Sequence, residues 1–313
     1  MPILALVSQG SISPGLADDA SAAWGEMGVT WFGPDGSVWD LASPDSGVVL
    51  VPGGVRGLNM PPITRYTGSS PALPGSRWQG SRVGERPVFW PLLVHSEVGS
   101  QGWIDTDRDF WSTMRPDDPG TWRITLPDGT YRELTCRFDD DGDATYDLDP
   151  IKVGWAAYGV SLVADDQPFW LGRQQGVVLG AGSGSNFFSS SGSVLTISPS
   201  QTISSANVSN PGDVPAWPRW TVNGPADSIV LGVAGGAVTY APALSAGQSV
   251  TIDTDPAVMT ATNQAGVDVT SSCTWLPQPI PPGASVPLAI SMTPLSSAAS
   301  VEITLTPRYY RAW

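Results

Sequence analysis

The sequence predicts an all-β chain, mainly strands with one short helix, divided into two domains. Three observations lead there. Glycine (35) and proline (30) are abundant in the 313 residues, too frequent for a helical protein and below the level of a disordered one. They punctuate short runs of Val, Ile, Thr and aromatic residues, the pattern of strands joined by turns. The composition also breaks near residue 172. Residues 1–172 hold 23 acidic and 11 basic residues and ten of the 14 tryptophans, whereas 173–313 hold 6 acidic and 4 basic. A chain of this length ordinarily forms two domains, so the expected division is 1–172 and 173–313.

The elements follow in order. Val29–Leu41 reads as a hairpin, with Pro34-Asp35-Gly36 at its turn because Pro presets φ and Gly tolerates positive φ. Val48–Val51 is a short buried strand broken by Pro52-Gly53-Gly54. Residues 58–80, rich in Pro, Gly and Ser, read as a long, extended, irregular arm, either an intersubunit contact or a plain loop. Arg86–Val94 is a strand that Pro87 and Pro91 make an edge strand or interrupt, since neither can donate to a ladder. Asp105–Met114 is the helix: Asp105 or Thr106 caps it, Phe110 and Met114 share a face, and Pro116 stops it.

A second hairpin spans Thr121–Phe138. Trp122, Ile124 and Leu126 alternate on one arm and Leu134, Cys136 and Phe138 on the other, around Pro127-Asp128-Gly129. Residues 151–164 read as a long strand with a parity flip, hence a bulge or a bend, near Ala156-Ala157. Residues 176–193 read as a Gly/Ser-rich linker in which Phe187-Phe188 docks. Beyond it come about eight short Val/Ile/Thr-rich runs between 193 and 306 with no helix signal, which predicts a β-sandwich.

The chemistry is sparse. A net charge of −14 with one lysine, Lys152, speaks against binding nucleic acid or an anionic membrane. No run approaches about 20 apolar residues, and Ile3–Val7 is too short and lacks a preceding basic residue for a secretory signal. Cys136 and Cys273 read as two buried thiols rather than a disulfide. His95 is the single histidine and has no nucleophile in a recognised spacing, so a surface or edge histidine is the preferred reading over a catalytic base, and one His with two distant Cys offers too few ligands for a metal site. Gly180–Ser185 lacks the third glycine of a dinucleotide loop. No motif singles out a glycosidase carboxylate pair. Asp139, Asp141 and Asp143 place oxygen ligands at alternate positions, as a calcium loop does. The glycine is one place off and no twelfth-position Glu follows, so a solvated acidic loop is the preferred reading. Trp217, Trp220 and Trp275 could stack on sugars but read first as packing. Arg308-Tyr-Tyr-Arg-Ala-Trp313 reads as docking onto the chain's own surface or a neighbour's.

Several segments, taken in order, resemble the distal tail protein of siphophages. They are Arg56-Gly-Leu58 before a Pro/Gly arm, Arg86-Pro-Val-Phe-Trp-Pro-Leu92, Asp107-Arg-Asp-Phe-Trp111, Pro119–Gly129 and Val160–Trp170. Asn210–Val222, Gly247–Asp255 and Pro307-Arg-Tyr-Tyr-Arg311 complete the order. The scarcity of lysine against arginine and tryptophan resembles versions from actinobacteriophages. The resemblance implies a barrel-like N-terminal ring domain and a peripheral galectin-like C-terminal sandwich. It implies a homohexameric ring in the virion tail tip, assembled in the host cytoplasm. That ring would join the tail tube protein to the central fibre or tail-associated lysin, with genomic DNA passing through. It implies no catalytic residue and no cofactor. Contacts are expected from segments containing Arg56, Leu58, Pro71, Pro74, Arg82, Tyr309 and Trp313. The alternative is a baseplate protein that binds host-wall carbohydrate.

Overall fold

The computed structural model describes residues 26–142, 148–180, 188–189, 192–196, 206–293 and 298–313. The first half contains β1 (Gly28–Phe32), β2 (Val38–Asp40), β3 (Val48–Leu50), β4 (Ile63–Ser70), β5 (Leu73–Val83), β6 (Arg86–His95), α1 (Ser100–Trp111), β7 (Gly120–Thr125), β8 (Tyr131–Asp140), α2 (Pro150–Val153), β9 (Trp155–Ala164) and β10 (Trp170–Gly172). One barrel-like sheet runs β2-β1-β7-β8-β9-β6-β3, with β10 also paired to β8.

Period two explains this sheet. Along β6, Arg86, Val88, Trp90, Leu92 and Val94 are buried and the residues between them are not. Trp122, Ile124, Leu134 and Cys136 are buried from the β7–β8 hairpin, whose register pairs Trp122 with Leu134. Four tryptophans from four strands meet in the middle. Trp31, Trp90, Trp122 and Trp170 contact in sequence with ring centroids 5.2, 5.2 and 5.1 Å apart. The first two contacts are T-shaped, which sets the positive edge of one ring against the negative face of the next. The cluster leaves no room beside it. A Cβ added to Gly120 would lie 2.2 Å from Trp31 Cη2 and 2.8 Å from the Phe32 carbonyl. Gly120→Ala is therefore expected to cost about 1–3 kcal/mol of stability by overpacking, read as a lower urea midpoint; an unchanged midpoint would show that the indole can shift freely.

Four sequence expectations need correction. The helix begins at Ser100, not Asp105. Its N-cap is Gly99 at φ 96°, with no side-chain cap. Asp105 instead accepts from Gln101 Nε2 at 2.8 Å, and Thr106 Oγ1 donates to the Gly102 carbonyl, as helix-interior residues do. The buried pair is Trp103 and Phe110, seven residues apart, so the apolar face starts a turn and a half earlier than the acidic run suggests. Second, residues 150–153 are a helical turn rather than strand. Asp149 caps it through the Ile151 N–H, Pro150 opens it and Gly154 at φ 76° ends it. β9 then alternates without interruption, and the bulge falls on its partner at Asp139, between Phe138–Leu162 and Asp140–Ser161. Third, the arm is not irregular: β4 and β5 pair antiparallel over their whole length, with two register shifts. Fourth, the stretch read as a linker opens with a strand, Gln175–Gly180, at the heart of a sheet. Its Gly/Ser neighbours hid Val177, Val178 and Leu179; Phe187 lies outside the described residues.

β6 is interrupted on one side only. It pairs along its full length with β9, but on the other side with β3 at Leu92–Val94 and with Arg56 through Phe89. Pro87 and Pro91 face that second side, where Pro91 accepts from the Val51 N–H at 2.8 Å and its missing N–H interrupts no bond to β9.

The second half contains β11 (Gln175–Gly180), β12 (Phe188–Ser189), β13 (Gly192–Thr196), β14 (Asn207–Ser209), β15 (Arg219–Asn223), β16 (Ser228–Val233), β17 (Gly236–Tyr240), β18 (Ser249–Asp253), β19 (Thr260–Asn263), β20 (Cys273–Leu276), β21 (Ser285–Thr293), β22 (Ser300–Leu305) and β23 (Arg308–Tyr309). Two sheets, β12-β13-β11-β22-β15-β18-β19 and β14-β21-β16-β17-β20, close over one apolar core from Leu179 to Leu305. This is the expected β-sandwich. Cys136 and Cys273 are both free thiols.

Candidate assembly surface and its anchoring junction

Arg86 opens β6 on the inward parity, so its guanidinium enters the protein and is 1% exposed. Among the described residues no carboxylate meets it. Four backbone carbonyls do. Nε donates to Pro168 at 2.7 Å, Nη1 to Gly57 at 2.7 Å and also to Asn59, and Nη2 to Tyr310 at 2.8 Å. Desolvation lowers its pKa to about 10, so it stays charged at neutral pH. The planar fork suits this role, because it points several donors in fixed directions at once. The three segments it joins are the foot of the β4–β5 arm, the exit toward β10, and the run that follows β22. Trp170 adds an indole N–H to the Gly57 carbonyl at 3.2 Å.

Residues 308–312 return to the first half. Tyr309 pairs with Trp170 in an antiparallel bridge, and Ala312 is wholly buried in the tryptophan-rich core. The Ala312 N–H donates to the Leu58 carbonyl at 2.9 Å. Arg132 donates to the Arg311 carbonyl at 2.7 Å and stacks on the Tyr309 ring, 3.7 Å from its centroid. The sandwich grips the same strand from the other side. Asp213 N–H donates to the Arg308 carbonyl at 2.8 Å, and the Asp213 carboxylate accepts from the Tyr310 N–H at 3.2 Å. Arg308 also forms an ion pair with Asp255. Gly212 permits this approach, since a Cβ there would lie 2.6 Å from the Arg308 carbonyl. The aromatic–arginine run thus docks on the chain's own surface, and Trp313 is left exposed.

Above this junction stands the arm. Among the described residues β4 and β5 pair only with each other. Tyr66 is 49% and Trp78 67% exposed, and Arg65, Arg77 and Arg82 are exposed too. Large aromatic rings and arginines exposed on a two-stranded ribbon are what a partner surface requires. Arg56 and Leu58 lie at its foot, Arg56 over the Phe89 ring and Leu58 bound to Ala312. Pro71 sits in its turn and Pro74 in β5, both exposed. Sequence reasoning named the arm but missed Tyr66 and Trp78 as its exposed aromatic residues and Arg86 as its anchor. The alternation of Arg86 with Val88 and Trp90 carried the signal for the anchor.

The other sequence candidates stay apart. Asp139 at the β8 bulge and Asp141 just past the strand are exposed, and Asp143 lies outside the described residues. Among the described residues no three His, Cys, Asp or Glu side chains gather as metal ligands, and no helix is long and apolar enough to cross a membrane. His95 ends β6. Trp220 is core, and Trp275 packs on the sandwich core with its indole N–H on the Thr270 carbonyl. Residues 3–7 and 181–185 lie outside the described residues.

No protein-family model and no curated protein matches the chain. Solved structures do. The chain is similar to the Dit protein (gp 19.1) of phage SPP1, described as a paradigm of hub adsorption apparatus in phages infecting Gram-positive bacteria. The TM-score is 0.60 at 12% identity, over 91% of this chain and 99% of that one. It is also similar to a chain of the phage P2 baseplate in its activated conformation with Ca, with TM-score 0.54 at 11% identity, over 89% and 98%. The form with Sr gives 0.53 at 12%. The resemblance read in the segment order and the overlap of the whole chain agree: this chain has the fold of the phage distal tail (Dit) proteins.

Proposed function

We propose that the chain is a structural, non-enzymatic hub of a phage tail tip, built as a homohexameric ring. The observation that carries this is the end-to-end overlap with a hub protein, 91% of this chain on 99% of the other. In this reading residues 1–172 form the ring domain and 173–313 the peripheral domain. The ring joins the tail tube to the central fibre or tail-associated lysin in the virion, after assembly in the host cytoplasm. The β4–β5 arm reaches a second copy of the chain, placing Arg65, Arg77 and Arg82 against an otherwise acidic body. Six copies would carry −84 at −14 per chain, and an acidic lumen would let DNA pass without adhering. Mass photometry with negative-stain imaging tests it. The expected particle is a ring with a central hole at six times the 32.8 kDa chain mass; a persistent monomer at high concentration would sink the proposal.

A further inference from the structure

We propose that the cleft between the two halves binds an anionic saccharide unit, a sugar ring bearing a phosphate or a carboxylate. The cleft holds about 430 Å³, within the range of small-ligand pockets, which favour domain junctions. Three segments line it: the β7–β8 turn with Asp128, Tyr131 and Arg132; the β10–β11 connection with Arg173 and Gln175; and Pro307–Tyr309.

Two arginines converge there in a chain that is acidic overall. Arg132 is held in place by its stack on Tyr309 and its bond to the Arg311 carbonyl, which uses one nitrogen and leaves the rest of the fork available. Arg173 is exposed and makes no ion pair or hydrogen bond among the described residues. An arginine pair with one fixed and one free member recognises a phosphate or carboxylate by charge-assisted hydrogen bonds. The rest of the lining suits hydroxyls. Tyr131, Tyr309 and Gln175 offer neutral donors and acceptors. Asp128 commits one oxygen to Thr130, at 2.8 Å to its N–H and 2.6 Å to its hydroxyl, and keeps the other for a ligand. Concavity favours a small ring over the flat surface of a protein partner.

The inference is independent of the hub reading, since ring mass and ligand binding are measured separately. The test is calorimetric titration of the full chain with glucose 1-phosphate, glucuronate, glucose and inorganic phosphate. The expected result is binding of one or both charged sugars, with the difference between those two arms identifying the anion. Glucose and inorganic phosphate should bind at least about tenfold more weakly. Arg173→Gln should weaken the charged sugar about tenfold, the loss of one charge-assisted contact, and Arg173→Lys should restore part of it. No heat with either charged sugar, equal binding of inorganic phosphate, or an Arg173→Gln variant equal to wild type each overturns the proposal. So does a ring that excludes the sugars while a monomeric form accepts them, because the cleft would then hold a neighbouring copy.

Discussion

Arg86→Met is expected to lower the stability of the tryptophan-rich half by about 3–5 kcal/mol. Methionine fills much of the same space, so the loss isolates the hydrogen bonds. Four carbonyls, from Gly57, Asn59, Pro168 and Tyr310, would lose a charged donor together. Each bond to a charged group contributes about 1.5–3 kcal/mol, and a buried carbonyl left unpaired costs about 1–3 kcal/mol. The terms overlap because the same segments relax together, which keeps the total below their sum. Arg86→Lys should fall between, since an ammonium keeps the charge but cannot reproduce the fork. The measurement is urea unfolding followed by tryptophan fluorescence, which reports this half because ten of 14 tryptophans lie in residues 1–172. A change below 1 kcal/mol for Arg86→Met would mean that packing alone holds the junction.

Replacing both Tyr66 and Trp78 with serine is expected to abolish ring formation while leaving the monomer folded. Both side chains are about half exposed or more, on a ribbon that pairs with no other strand among the described residues. Removing them should change monomer stability by no more than about 0.5 kcal/mol. In an interface, aromatic anchors of this kind commonly contribute about 2 kcal/mol or more each. The combined loss is then more than a hundredfold per contact, repeated around the proposed six-membered ring. Sedimentation velocity would read it: a monomer for the double variant where the parent chain gives a ring. A double variant that still forms rings would remove the arm from the subunit contact.

Much of the fold was legible, and the failures share a cause. The β7–β8 hairpin could be read because alternation and a Pro-Asp-Gly turn are local properties, and so could most sandwich strands. The misplaced elements were those whose sequence carries two messages. Asp105–Asp109 has the acids of a first helical turn, yet the buried spacing of Trp103 and Phe110 sets the start at Ser100. Ile151 and Val153 have strand parity with Trp155, yet the Asp149-Pro150 start and the Gly154 stop win locally. Val177–Leu179 vanished among glycines because burial in a sheet centre depends on partners far along the chain. The anchoring site was hidden for the same reason. Arg86 meets residues 57, 59, 168 and 310, and nothing in its neighbourhood announces partners at such distances.

The return of residues 308–312 has a consequence for biosynthesis. Ala312 completes a core whose other members begin at Val29, so that core cannot close until the chain has been made through residue 312. Contacts of such sequence separation form late, after the loop entropy between them has been overcome. The sandwich core closes over a shorter span, from Leu179 to Leu305, when β22 returns to pair with β11. The order of folding should therefore run against the order of synthesis, the later-made half settling first and the earlier-made half waiting. An arm whose foot shares in that last closure, through the Ala312 bond to Leu58, would be held back from self-association on the ribosome.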